Sequence, residues 1–177
     1  MEAVQTLSEY ELERGKPMPS KNHAIAQINL LAALLRFKDE YSILPELSLE
    51  LDGQPFTPDV TVYPRLETDW QHDEVRMTEP PLLTVEILSP KQTMDELMRK
   101  AEAYLAAGVK ACWILQPMIE TLGVLQPGRK PQTYTSGEVT DPATGITVTK
   151  RSSSSQPRRL PLPASSGNRT PDGDGGR

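Results

Sequence analysis

The sequence predicts an α/β domain, in which helices flank a mixed β-sheet core, followed by a tail of different composition. The first observation is residues 82–90, Leu-Leu-Thr-Val-Glu-Ile-Leu-Ser-Pro, which have the β-branched, apolar character of a buried strand. The second is a helical pattern over 93–107, after which 111–115 again resemble a buried strand. A helix that joins two neighbouring strands in this order usually makes them parallel. Shorter alternating stretches before and after predict additional strands.

Composition divides the chain into a predicted domain, residues 1–149, and a tail, residues 150–177. Of 177 residues 17 are proline, and Pro, Gly and Ser concentrate in the tail, which has too few apolar residues to offset the entropy of ordering. We therefore expect the tail to be disordered or aberrant. The open alternative is a basic arm that contacts nucleic acid.

Charge and hydropathy limit the class of protein. A net charge of -5 argues against non-specific coating of nucleic acid, but not against an enzyme whose carboxylates hold metal ions. No apolar run is long enough to span a membrane, and the N-terminus lacks a signal pattern. We therefore expect a cytoplasmic protein without a membrane partner. The single cysteine, Cys112, excludes an intramolecular disulfide and is expected to be buried.

The first predicted helix begins after Ser20, which can cap it. Its apolar residues recur at three- and four-residue spacing, and we expect them to form one buried face: Ile25, Ile28, Leu31, Leu34 and Leu35. His23 lies in the first turn. A single histidine without a second His or Cys is weak evidence for a metal ligand, so a structural role is favoured.

A hairpin is predicted next. Residues 47–51 alternate between apolar and polar, an Asp-Gly turn follows, and 56–63 form the partner strand. Pro58 restricts the start of that strand to a sheet edge or a first position. The alternation places Asp59 on the face opposite the strand's valines.

Glu86 is the unusual residue of the strand at 82–90. A carboxylate is rarely buried without a partner, so this one requires a metal ion, a Lys or Arg, or protonation. In the helix that follows, Thr93 and Glu96 have the spacing of a capping box, and Gly108 is placed to end it. Lys100 borders the predicted inward stripe of that helix, which consists of Met94, Leu97, Ala101, Tyr104 and Leu105. Further strands are predicted at 122–125 and 132–134, and a turn between extended pieces at 139–148.

Asp59, Glu86 and Lys100 form the candidate site. If their strands are neighbours, the two carboxylates can converge on one hard cation, Mg²⁺ or Mn²⁺, with water and phosphate oxygens completing its coordination. A nearby lysine would orient or deprotonate the attacking water and stabilise charge on a phosphate. This is the chemistry of phosphodiester hydrolysis. The alternative for Glu86 is a structural ion pair with Lys100.

Several motifs together resemble the Uma-type family of endonucleases, in the PD-(D/E)XK superfamily with the restriction-endonuclease-like fold. They are Pro58-Asp59, Val85-Glu86-Ile87-Leu88-Ser89-Pro90, Lys100 with Tyr104, Ala107-Gly108-Val109-Lys110 and Trp113. The resemblance implies a Mg²⁺- or Mn²⁺-dependent endodeoxyribonuclease that acts on DNA. By position, Asp59 and Glu86 would be metal ligands, Lys100 the catalytic lysine, and Glu11 an accessory metal-binding carboxylate.

Two departures keep a second function open. The superfamily places its lysine two residues after the strand carboxylate, where this chain has Leu88, so Lys100 on the helix takes the role and Lys91 is its rival. The resemblance implies an apolar segment at the end of the domain, which the tail replaces, as a frameshift or a truncated reading frame near residue 149 would produce. The alternative to a nuclease is a non-catalytic or decayed module of the same fold with an interaction or regulatory role. A homodimer with a shared groove is also left open.

Overall fold

The computed structural model describes residues 18–150. Within this range the chain forms two α-helices, one 3₁₀ helix and ten strands. In chain order they are α1 (Lys21–Leu34), the 3₁₀ helix (Leu35–Phe37), β1 (Tyr41–Pro45), β2 (Leu49–Leu51), β3 (Gln54–Phe56), β4 (Val60–Pro64), β5 (Leu83–Ile87), α2 (Met94–Ala106), β6 (Ala111–Gln116), β7 (Thr121–Leu125), β8 (Gln132–Tyr134), β9 (Gly137–Thr140) and β10 (Thr147–Lys150).

A six-stranded mixed sheet with the order β1-β4-β5-β6-β7-β8 forms the centre of the fold. β5 and β6 are parallel and are joined by α2, while every other neighbouring pair in this sheet is antiparallel. The predicted α/β class and the parallel pair are therefore confirmed. Two small antiparallel pairs, β2 with β3 and β9 with β10, lie outside the main sheet.

The sheet separates two hydrophobic clusters. One contains Leu30 and Leu34 of α1, side chains such as Val85 from the sheet, and residues of β9 and β10. The other contains the buried residues of α2 and of β2, together with side chains such as Ile114 from the opposite face of the sheet. Because neighbouring residues of a strand face opposite sides, Val85 packs on the α1 side and Glu86 points to the α2 side.

α1 begins as predicted, since the Ser20 side chain accepts a hydrogen bond from the His23 amide. Its predicted buried face, however, is wrong at three positions: Ile25, Ile28 and Leu35 are 51%, 61% and 49% exposed. The face that packs on the sheet instead follows the spacing of the three buried residues His23, Leu30 and Leu34. Because α1 carries apolar residues on both sides and its single charged residue, Lys21, lies at its first position, apolar spacing could not identify the inner side.

The hairpin also differs from the prediction. β2 pairs with the short β3 across a turn at Asp52 and Gly53, which have φ of 49° and 73°, and its Leu49 also forms an isolated bridge with Met77. β4 then starts at Val60 and pairs with β1, a strand that was not predicted. Pro58 lies between the two pieces, and because proline lacks an amide hydrogen it does not continue a ladder.

α2 follows the prediction closely. Its capping box is complete, because Thr93 Oγ1 accepts from the Glu96 amide and the Glu96 side chain accepts from the Thr93 amide. Gly108 follows the helix with φ +102°, a conformation that favours glycine. The most buried positions of the helix are Leu97, Ala101 and Tyr104, all members of the predicted stripe.

Several predictions lie wholly or largely outside the described residues. These include Glu11 and, apart from Lys150 at the end of β10, the tail 150–177. Cys112 is buried with a free thiol, as expected. Neither helix within residues 18–150 is long and apolar enough to cross a bilayer.

Candidate active site

Glu86, in the middle of the main sheet, is only 1% exposed. Lys100 donates to both of its carboxylate oxygens, with Nζ 3.0 Å from Oε1 and 3.0 Å from Oε2. Tyr104, one turn further along α2, donates its hydroxyl to Oε1 at 2.6 Å. Since residues four apart share one helix face, α2 presents both donors to the same carboxylate. The buried charge predicted for this position therefore has its partners.

The environment changes the protonation of this cluster. Burial raises the pKa of the Glu86 carboxyl, the Lys100 ammonium opposes this rise, and the negative charge of Asp59 adds to it. Burial and the neighbouring Glu86 carboxylate also raise the pKa of Tyr104 well above the usual value for a phenol. Tyr104 therefore keeps its proton and remains a hydrogen-bond donor near neutral pH.

Asp59 is placed beside Glu86 by the register of the two strands. Val60 is paired with Val85, so in this antiparallel pair the residue before Val60 faces the residue after Val85. The Asp59 amide donates to the Val85 carbonyl at 3.1 Å, and Asp59 Oδ2 accepts from the Ile87 amide at 2.6 Å. The carboxylate is thus fixed at the end of β5 and is only 2% exposed.

α1 contributes two residues that contact Asp59. His23 Nε2 lies 3.1 Å from Asp59 Oδ2, and Gln27 Nε2 donates to the Asp59 main-chain carbonyl at 3.0 Å. The sequence argument favoured a structural role for His23, since no second His or Cys accompanies it, and did not connect it to Asp59, which lies 36 residues away. The only available signal was its place in the first turn, four residues before Gln27 on the same helix face. Tyr104 was likewise assigned to the core, and its hydroxyl contact with Glu86 was missed.

The structure thus brings Asp59, Glu86 and Lys100 together around the carboxyl end of β5. Lys91, the rival lysine, is exposed, and the ammonium that contacts Glu86 is that of Lys100. Glu11 cannot be placed relative to the site, because it lies outside the described residues.

The donor atoms of this site are carboxylate oxygens, which are the ligands that Mg²⁺ and Mn²⁺ prefer. Within residues 18–150 no group of three or more His, Cys, Asp and Glu side chains forms a ready-made metal cage. Asp59 and Glu86 nevertheless provide two neighbouring carboxylates, and Mg²⁺ is commonly bound by one or two carboxylates with water and phosphate oxygens as the other ligands. Because Lys100 contacts both oxygens of Glu86, an ion would have to share this carboxylate with the ammonium.

Comparisons with known proteins bear on the fold and the family of the chain. A crystal structure titled as a "putative nuclease belonging to DUF820", from Anabaena variabilis ATCC 29413, is similar to the chain with a TM-score of 0.66 and 20% identity, covering 73% of this chain and 76% of that one. This likeness shows the fold. The cryo-EM structure of the DrdV-DNA complex matches with a TM-score of 0.42 and 15% identity, over 70% of this chain and 10% of that one, and no argument rests on it. Curated proteins give no match.

The sequence profile of one family matches residues 5–151, which is most of the chain and includes every candidate site residue. That family, Uma2, is described as "Putative restriction endonuclease". The predicted resemblance is thereby confirmed, and the chain belongs to the Uma2 family.

Proposed function

We propose that this protein is a divalent-metal-dependent endonuclease that hydrolyses phosphodiester bonds in DNA. Membership of a family described as restriction endonucleases supports a nuclease, and nucleases of this kind generally use divalent metal ions. The observation that carries the proposal is the buried Glu86 carboxylate, flanked by Asp59 and in contact with Lys100. This combination of charges costs stability in a purely structural core, and such costs often mark functional sites.

Each residue has a distinct role in this proposal. Asp59 and Glu86 would hold Mg²⁺ or Mn²⁺, which when bound supplies Lewis-acid stabilisation of the charge that develops on the phosphate. Lys100, whose side chain is 22% exposed, contacts Glu86 and in this proposal would also contact a substrate phosphate. Its ammonium would orient the attacking water and donate a hydrogen bond to a phosphate oxygen. Tyr104 would hold Glu86 Oε1 in place through its 2.6 Å hydrogen bond.

A metal titration followed by thermal unfolding tests the proposal. Ligand binding stabilises the folded state by RT ln(1 + [L]/Kd), about 2.7 kcal/mol at a concentration of 100 Kd. We expect Mn²⁺ or Mg²⁺ to raise the Tm of the wild type and of Glu102→Gln, an exposed residue of α2, but not that of Glu86→Gln. Plasmid and single-stranded DNA are then tested for metal-dependent cleavage, which Glu86→Gln and Lys100→Met should lose.

One observation favours a second candidate function. Lys100 contacts both oxygens of Glu86 and Tyr104 contacts one of them, so the buried charge is compensated without any ion. A non-catalytic module of the same fold would retain such an ion pair for structural reasons. The same titration separates the two candidates, because the module predicts identical unfolding curves with and without metal and no cleavage.

A further inference from the structure

His23, in the first turn of α1, makes a specific contact with the candidate site. Its Nε2 atom is directed at one carboxylate oxygen, Asp59 Oδ2, which also accepts the Ile87 amide at 2.6 Å. The His23 and Asp59 side chains are 5% and 2% exposed, so water does not compete strongly for this contact. Two donors on one oxygen restrict rotation of the carboxylate about its Cβ–Cγ bond. The orientation of Asp59 is therefore determined jointly by β5 and by α1.

The neighbouring contacts on α1 have the same target. Gln27, on the same helix face, donates to the Asp59 main-chain carbonyl at 3.0 Å, so α1 holds both the side chain and the backbone of this residue. At the start of the helix, Ser20 Oγ accepts from the His23 amide at 3.3 Å and fixes the turn that carries the ring. The cap at Ser20 and the helix face shared with Gln27 thus both help to orient the imidazole.

The second ring nitrogen of His23 supports a role beyond packing. Nδ1 is buried and has no hydrogen-bond partner in the part of the chain that the structure describes. Burying an unpaired polar atom costs about 1–3 kcal/mol, so a histidine that served stability alone would be a poor choice here. Unsatisfied polar groups of this kind are found where function requires a particular orientation.

We propose that His23 is a positioning residue: it donates Nε2–H to Asp59 Oδ2 and so holds this carboxylate in the orientation in which it and Glu86 can bind one divalent cation. This inference rests on the proposed function. Groups that orient metal-ligating side chains usually contribute about 10- to 100-fold in metal affinity. His23 touches neither substrate nor metal in this arrangement and acts only through Asp59.

Mn²⁺ binding to the full chain, measured by isothermal titration calorimetry, tests the proposal without relying on activity. We expect His23→Leu, which removes the donor, to weaken Mn²⁺ binding at least about tenfold. His23→Gln, whose side-chain amide can reach Asp59, should stay within about threefold of the wild type. Leu30→Ala, a buried change on the same side of α1, serves as the control and should lower the Tm while leaving Mn²⁺ affinity unchanged.

Three other outcomes would overturn the inference. If His23→Leu binds Mn²⁺ like the wild type while Asp59→Asn does not, the metal site stands but His23 does not position it. If Leu30→Ala weakens binding as much as His23→Leu at equal loss of Tm, the effect is one of stability alone. If the wild type itself does not bind Mn²⁺, the proposed function fails and this inference fails with it. Should His23→Leu not fold, His23→Asn replaces it, because its shorter polar side chain cannot reach Asp59.

Discussion

Replacing Lys100 with methionine tests how the buried charge of Glu86 is held. The substitution keeps most of the aliphatic stem but removes the ammonium that lies 3.0 Å from both carboxylate oxygens. Removing one partner of a buried ion pair typically costs about 3–5 kcal/mol, because the other charge is left uncompensated. Tyr104 still donates to Oε1, and the Lys100 side chain is 22% exposed, so we expect the lower limit, about 3 kcal/mol at neutral pH. For a domain of this size that corresponds to a fall in Tm of roughly 10 °C.

The loss should depend on pH in a defined direction. Burial raises the pKa of Glu86 in the folded state and the Lys100 ammonium opposes the rise, so without Lys100 the pKa rises further. A carboxyl with a higher pKa in the folded state binds more protons there than in the unfolded chain. Its contribution to stability is therefore complete below the unfolded pKa and is lost as the pH rises through the folded pKa. The cost of Lys100→Met should be smallest in acid and grow toward neutral and alkaline pH.

Urea unfolding followed by circular dichroism between about pH 5 and pH 8 measures this cost. Lys110→Met, at an exposed lysine just beyond α2, is the matched control and should remain close to wild type. In the double variant Glu86→Gln/Lys100→Met the two losses should not add, because no uncompensated charge remains. A cost of Lys100→Met that is independent of pH, or no larger than that of the control, would refute this account of Glu86.

Three further predictions concern the surroundings of the site. Tyr104→Phe removes the 2.6 Å hydrogen bond to Glu86 and should cost about 1.5–3 kcal/mol in urea unfolding, as expected for a bond to a charged acceptor. Burial raises the pKa of the Cys112 thiol to about 12, so Ellman's reagent should not react with the folded protein at mildly alkaline pH but should react with one thiol after denaturation. Gly108→Ala should lower the free energy of unfolding by about 1–2 kcal/mol, measured by thermal unfolding, because φ is +102° and the added Cβ would lie 3.3 Å from Pro80 Cγ.

The two stability predictions, at Tyr104 and Gly108, have controls within the chain. Tyr134→Phe removes an exposed hydroxyl contact and should change stability little, so a similar loss at both tyrosines would contradict the role of Tyr104. Gly128→Ala has φ +68° but no atom within 4 Å of the added Cβ, so it isolates the backbone contribution from the clash at Gly108. For Cys112, rapid reaction of the thiol with Ellman's reagent in the folded protein would contradict the prediction, because it would show that the thiol is accessible.

The sequence was sufficient to predict those parts of the site in which local pattern and tertiary structure agree. Strand alternation assigned Glu86 to the face opposite Val85, and the capping box set the register of α2 and hence of Lys100. Both signals lie within a few residues of the group that they place. The meeting of Asp59 with Glu86 could be predicted only on the condition that their strands were neighbours.

The remaining features depended on packing that no local pattern reports. The sequence of β1, Tyr-Ser-Ile-Leu-Pro, does not alternate regularly between apolar and polar residues. In the structure all five of its residues are half-buried or exposed. α1 is apolar on both sides, and only its contact with the sheet selects His23 and Leu34 as inner residues. Tyr104 gave a core signal because its ring is buried, and that signal concealed the role of its hydroxyl.

The placement of Lys100 and Tyr104 on one helix also limits which insertions and deletions the gene can tolerate. An α-helix advances by one residue for every 100° or so of rotation, so one residue inserted after Leu97 would turn both side chains away from Glu86 together. An insertion between Ser89 and Gln92, before the capping box, would break the two hydrogen bonds between these residues but leave the helix register unchanged. Length changes should therefore be less damaging ahead of Thr93 than within the first two turns of α2, although many residues there are exposed.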